Sequence, residues 1–131
     1  MILLDTHAWI WHLAERSELS EAARAAIDRE RAPGSIVVSA ISVWELFMLT
    51  KTGRLRLSTS PRAFVASTEL DPTLRIVPVD AQIGRASVEL PDYHADPADR
   101  MIIATASELG CGIVSKDGRF ADYQAIVQMI W

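Results

Sequence analysis

Cysteine is almost absent from this chain. The single Cys111 stands between Gly110 and Gly112 in an apolar stretch. One thiol cannot close an internal disulfide, so a reducing cytoplasm is the expected compartment. Cys111 is expected to be a buried inert side chain, not a nucleophile. Long apolar runs are also missing: none approaches the ~20 residues that would span a bilayer. The opening apolar residues end at Asp5 with no basic segment before them, so no signal peptide is expected. Positive charge is in deficit, with 13 basic residues against 17 acidic ones and a net charge of −4. A nonspecific nucleic-acid binder is usually basic, so any such contact must come from local basic patches. There is no HExxH or CxxC pattern, no GxSxG elbow, no GxxxxGK[ST] loop and no GxGxxG fingerprint. The histidines His7, His12 and His94 show no zinc-ligand spacing.

What is present is 131 residues, half of them apolar. That is enough for one domain, residues 1–131, with a core that needs no disulfide or structural zinc. Residues 2–5 read as a buried strand, followed by a brief helix over 6–14 that Asp5 or Thr6 could cap. Residues 20–31 form an amphipathic helix with Ser20 as N-cap, ended by Pro33-Gly34. A strand over 35–39 and a helix over 41–51 follow. Residues 54–60 show no clear structure, and a helix starts at Pro61. Residues 75–79 read as a strand at a sheet edge or strand end, because of Pro78. Asp80 caps a helix over 81–89. The clearest helix is 97–109, with Pro97 at its first position and Gly110 beyond its end. Strands over 112–116 and 125–130 close the chain. This alternation predicts an α/β fold, a mainly parallel central sheet with helices on both faces.

Four acids fall where such a sheet would place a site: Asp5 after the first strand, Glu45 and Asp99 in the first turns of helices, and Asp117 after a late strand. Ligands of open α/β sheets bind at the carboxyl ends of the strands. Each acid also has a local explanation. Ser42-Val43-Trp44-Glu45 fits a capping box. Asp96-Pro97-Ala98-Asp99 fits an N-cap, a first-position proline and an acid favoured by the helix dipole. Asp117-Gly118 is a turn dipeptide, and Asp5 could cap the first helix. Capping does not require four sites to converge, whereas binding a divalent cation such as Mg2+ or Mn2+ through oxygen does. Asp96 takes a supporting role, because its spacing from Asp99 suits capping. Trp44, beside Glu45, is expected to wall the site, and the other tryptophans Trp9, Trp11 and Trp131 to be core or interface.

These residues resemble the PIN domain family, in particular the VapC toxin ribonucleases of bacterial VapBC toxin–antitoxin pairs. MILLDTHAWIW resembles the family's opening strand, with its Asp followed by Thr or Ser. SAISVWEL is similar to the segment with the second acid, HADPADRMIIATA to the D-P-x-D-R helix start, and SKDGRF to the segment that ends the fourth strand. The resemblance covers essentially the whole chain. It implies a PIN-like three-layer fold and a metal-dependent endoribonuclease, the toxin of a type II toxin–antitoxin system. In it, Asp5, Glu45, Asp99 and Asp117 form an acidic quartet, with Thr6 and Ser115 at the polar positions beside it. The resemblance also implies a cognate antitoxin and a toxin homodimer.

The expected mechanism is metal-dependent hydrolysis of RNA with one or two Mg2+ or Mn2+ ions. Asp5 and Asp99 are the expected direct ligands, with Glu45 and Asp117 acting through water or at a second site. Arg100 and Lys116 adjoin two of the acids and could meet substrate phosphates or make ordinary surface contacts. Lys51, Arg54, Arg56 and Arg62 form the densest basic stretch and could touch the RNA backbone. Two other readings stay open: a Mg-dependent phosphoacceptor or phosphatase-like domain with Asp5 as nucleophile, and a non-catalytic module that binds RNA or a partner.

Overall fold

The computed structural model describes all 131 residues. Its centre is β1 (Ile2–Leu4), in a sheet with β2 (Ile36–Ser39), β3 (Leu74–Val77), β4 (Gly112–Val114) and β5 (Met129–Ile130). The strand order is β3-β2-β1-β4-β5, and every pairing is parallel. Parallel strands need long crossovers, and six helices supply those from β1 through to β4: α1 (Thr6–Ala14), α2 (Glu21–Arg29), α3 (Ala40–Lys51), α4 (Pro61–Leu70), α5 (Ala81–Glu89) and α6 (Pro97–Leu109).

Alternation along β1 sorts its side chains between two cores. Ile2 and Leu4 pack with Trp9, Ile27, Val38, Leu46 and Phe64 on one face. Leu3 packs with Val37, Ile103, Ile113, Phe120 and Tyr123 on the other. Both faces are covered, so β1 is an uninterrupted apolar run in the sequence. The result is the three-layer α/β arrangement expected.

The chain leaves β1 for β2 on one side of the sheet and reaches β4 on the other. The crevice at such a reversal opens at the carboxyl ends of the strands. The Asp5 amide donates to the Val114 carbonyl at 3.1 Å, tying the exits of β1 and β4 together.

Most element bounds match the sequence reading within one or two residues. β3 lies at a sheet edge and stops before Pro78. Gly110 ends α6 with φ +64°, a left-handed conformation that glycine adopts at no steric cost. The expected strand over 125–130 shrinks to Met129–Ile130, preceded by a 3-10 turn over Gly118–Tyr123. The reason is spacing. Phe120, Tyr123 and Val127 are all buried in the second core, at intervals of three and four, which suits a helical turn and not a strand.

Candidate active site

The acidic cavity sits at this crevice. Asp5 follows β1 directly. Its Oδ1 accepts the Ala8 amide at 2.7 Å, so it does cap α1. It also lines a cavity of about 240 Å3 together with Glu45, Asp96, Asp99 and Asp117. Capping and convergence therefore coexist, because a carboxylate has acceptor capacity beyond one amide.

Glu45 is not part of a capping box. α3 begins at Ala40, and Ser39 is its N-cap. Glu45 therefore lies in the second turn, and Ser42 is buried. Thr6 Oγ1 is 2.7 Å from Glu45 Oε1 and 2.9 Å from Ser42 Oγ. A hydroxyl has one proton, so Thr6 donates to Glu45 while Ser42 donates to Thr6. The chain β1–Thr6–Glu45 thus links the first strand to α3.

Asp96 is a capping residue, as its spacing from Asp99 suggests. It caps α6, accepting from the amides of Ala98 at 2.8 Å and Asp99 at 3.2 Å. That frees the Asp99 side chain, whose Oδ2 lies 2.6 Å from His94 Nε2. Beyond β4, Ser115 Oγ accepts the Asp117 amide at 3.1 Å. Asp117 in turn caps the 3-10 turn through the Arg119 amide and holds the Arg119 guanidinium at 2.6–3.0 Å.

Electrostatics separates the four acids. Burial pushes the Asp5 carboxyl up, opposed by hydrogen bonds from Ser115 and Ala8. Burial also pushes Glu45 up to about 7, with Asp99, Asp96 and Asp5 adding repulsion and Thr6 opposing it. Asp99 is raised by burial and by Asp96, against the contact with His94. Asp117 is lowered, because Arg119 grips it.

Two residues of the site were not singled out from sequence. His94 is buried, and a ring nitrogen of His94 and one oxygen each of Asp99 and Asp117 lie within 4.8 Å of one another, a grouping able to hold a metal ion. Asp5 and Glu45 wall the same cavity outside that tight triad. Arg119 lines the cavity and lies 3.9 Å from Asp99 Oδ2 as well. Its only sequence signal is its place in SKDGRF. The spacing of His94 matches no zinc motif, although it stands five residues before Asp99.

Other expectations need correction. Arg100 does not face the cavity. Its guanidinium donates to the carbonyls of Ser87, Val88, Leu90, Pro91 and His94 and to the Tyr123 hydroxyl. Lys116 Nζ lies over the Trp11 ring, 5.8 Å from its centroid, on the flank of Asp5 and Asp117. Of the basic stretch, Arg54 lines the acidic cavity, while Lys51, Arg56 and Arg62 do not. Trp44 walls a neighbouring groove that shares Glu45 and Asp96 with the cavity, not the cavity itself.

Comparison with known proteins points the same way. Residues 2–126 match the PIN domain family. Ribonuclease VapC22 of Mycobacterium tuberculosis (strain ATCC 25618 / H37Rv) is 35% identical over 124 residues, covering 94% of this chain and 92% of that protein. Among solved structures, FitAcB from Neisseria gonorrhoeae superposes with a TM-score of 0.66 at 25% identity, covering 98% of this chain and 96% of that one. A toxin–antitoxin complex from Klebsiella pneumoniae gives a TM-score of 0.66 at 19% identity, covering 100% and 97%. No helix is long and apolar enough to cross a membrane.

Proposed function

This chain belongs to the PIN domain family and, within it, to the VapC ribonucleases, and from that footing we propose that it is a metal-dependent endoribonuclease, the toxin of a type II toxin–antitoxin pair. The observation that carries the reading is the meeting of Asp5, Glu45, Asp99 and Asp117 in one cavity at the carboxyl end of a parallel sheet. Its cytoplasmic setting, its cognate antitoxin and its homodimeric state belong to the same reading.

The residues fit a divalent cation. Three of the four carboxyls are pushed up by burial, and each also feels a neighbouring carboxylate. Such a cluster is short of positive charge, and a cation removes the conflict. The donors are carboxylate oxygens with one imidazole nearby, which suits Mg2+ or Mn2+ better than a thiolate-preferring metal. Asp5 and Asp99 would hold the ion directly, with Glu45 and Asp117 acting through water or at a second position. When bound, the ion acidifies water and neutralises charge building up on the phosphate oxygens.

The protein's own groups do the rest. The Ala8 amide holds Asp5 Oδ1 in place, and Ser115 holds the Asp117 amide. Thr6 occupies Glu45 Oε1, so Oε2 remains to accept a hydrogen bond from water. His94 holds Asp99 Oδ2. Arg54 and Arg119 are the cations lining the cavity, and they meet the substrate phosphate.

The test is RNA cleavage by the purified chain with EDTA and with added Mg2+ or Mn2+. Asp5→Asn, Asp99→Asn and Asp117→Asn should abolish cleavage with the fold intact, and EDTA should do so reversibly in wild type. Undiminished cleavage in EDTA would sink the metal mechanism. Binding of RNA without any cleavage would leave the non-catalytic module as the better reading, and a trapped phospho-aspartate at Asp5 would leave the phosphoacceptor.

A further inference from the structure

We propose that the groove over Trp44 is a nucleobase subsite, taking one unstacked base of the RNA next to the phosphodiester held at the acids; this rests on the nuclease reading above. Trp44 is 56% exposed. Every other tryptophan has an aromatic neighbour: Trp9 packs on Phe64, and Trp11 on His7 and Trp131. Trp44 has none, and its indole divides two grooves. One, of about 290 Å3, runs between Trp44, Ile41, Pro97 and Met101. The other, of about 240 Å3, runs between Trp44, Met48, Leu49 and Arg54. Glu45 and Asp96 border both grooves and also line the acidic cavity, and Arg54 lines the cavity and the second groove.

This layout matches one nucleotide. An aromatic face stacks any base, because every base has a π-face. Arg54 offers a cation where phosphate must pass. Glu45 and Asp96 repel phosphate from the grooves, and Asp96, whose Oδ1 is taken by the Ala98 and Asp99 amides, has Oδ2 left to accept an N–H group from a base edge. Single-stranded RNA is recognised through such splayed bases, stacked and hydrogen-bonded on their edges. A second copy of this chain is the alternative occupant. α3 also exposes Phe47 and Met48, so dimer packing on this face is one of the outcomes the experiment must separate from base binding.

The experiment uses a short mixed-sequence single-stranded RNA whose cleavage point by the wild-type chain in Mn2+ has been mapped. The same RNA is then made with an abasic residue on either side of the scissile bond. One of the two should lower wild-type kcat/KM by roughly 5- to 150-fold, the range of one base–aromatic stack. Trp44→Ala should lose a similar factor on the intact RNA and nothing further on that abasic RNA, and Trp44→Phe should keep part of the effect. Losses that multiply, or abasic RNAs cut at the normal rate by wild type, would overturn the subsite. So would a Trp44→Ala chain whose one defect is a shift from dimer to monomer in sedimentation. The abasic arm uses wild type, so a poorly folded variant does not remove the test. If wild type cleaves no RNA, the nuclease reading falls and the subsite with it; cleavage without coupling removes the subsite alone.

Discussion

His94 Nε2 lies 2.6 Å from Asp99 Oδ2, and the backbone of His94 is held on both sides. Its amide donates to the Tyr123 hydroxyl at 3.0 Å, and its carbonyl accepts from Arg100 at 3.0 Å. The Asp96 amide points at Nδ1 at 3.5 Å, which places a ring proton on Nε2, facing Asp99. The imidazole therefore fixes the orientation of a carboxylate proposed above to hold the metal. Partners of this kind are worth about 10- to 100-fold in metal affinity or activity. His94→Ala should lose that much in both single-turnover cleavage and Mn2+ binding. His94→Gln, which keeps an N–H donor, should recover part of it. Unchanged Mn2+ affinity and cleavage in His94→Ala would show that the contact does not support the site.

The fold was legible because parallel strands buried on both faces leave apolar runs, and helix ends leave caps. Asp5, Ser20, Asp80 and Asp96 all cap the helices they precede. The four acids were legible for the same reason: strand ends and helix starts share one edge of a parallel sheet. Glu45 was placed in the cavity but in the wrong local setting. S-x-x-E spacing alone does not reveal that Ser39 caps α3 and that Ser42 turns inward to Thr6. Arg100 and His94 were illegible for a different reason. Their partners lie on α5, the loop after it and the final 3-10 turn, and no periodicity in the sequence encodes those contacts.

Arg100 should prove to be a strut and not a phosphate ligand. It serves five carbonyls and one hydroxyl, and hydrogen bonds to a charged group are worth about 1.5–3 kcal/mol. Losing the set should cost about 3 kcal/mol or more, at the upper end for single substitutions. Arg100→Lys should fail to rescue it, because an ammonium cannot reproduce the guanidinium fork. Denaturant unfolding measures the loss. The salt dependence of RNA binding should stay at the wild-type slope; a lower slope at unchanged stability would restore Arg100 as a phosphate contact.

Arg54 should stand apart from the rest of the basic stretch, because it lines the cavity and Lys51, Arg56 and Arg62 do not. Each phosphate contact to a single strand adds about 0.7 to the slope of log affinity against log salt. Arg54→Ala should weaken RNA binding and lower the slope by about that amount. Arg56→Ala and Arg62→Ala should leave both unchanged. Equal effects from all three substitutions would mean that the whole stretch, and not the cavity wall, grips the RNA.

Glu45 gives the sharpest test of convergence, since its carboxyl is raised from 4.5 to about 7. Below about pH 4.5 it is protonated in folded and unfolded chains alike and imposes no penalty. Between 4.5 and 7 the unfolded chain releases the proton while the folded chain keeps it, so rising pH favours unfolding. Above about 7 the folded carboxyl is ionised too, and the full penalty is in place. Asp5 and Asp99 are shifted in the same direction. Asp117, lowered by Arg119, contributes the opposite way, in a more acidic range: its stabilisation is present above the ordinary carboxylate value and lost as pH falls through its lowered one. Metal-free protein should therefore lose stability as pH climbs from about 4.5 to 7. The Glu45 part is on the order of 1–3 kcal/mol, discounted because the side chain is only half-buried. Glu45→Gln should melt above wild type at pH 8 in EDTA and level with it near pH 4.5. Mn2+ at a hundredfold excess over its Kd should stabilise wild type by about 2.7 kcal/mol and the variant by much less. If Glu45→Gln melts at or below wild type at pH 8 in EDTA and keeps the full Mn2+ response, Glu45 is not one of a set of repelling carboxylates and takes no part in holding the metal.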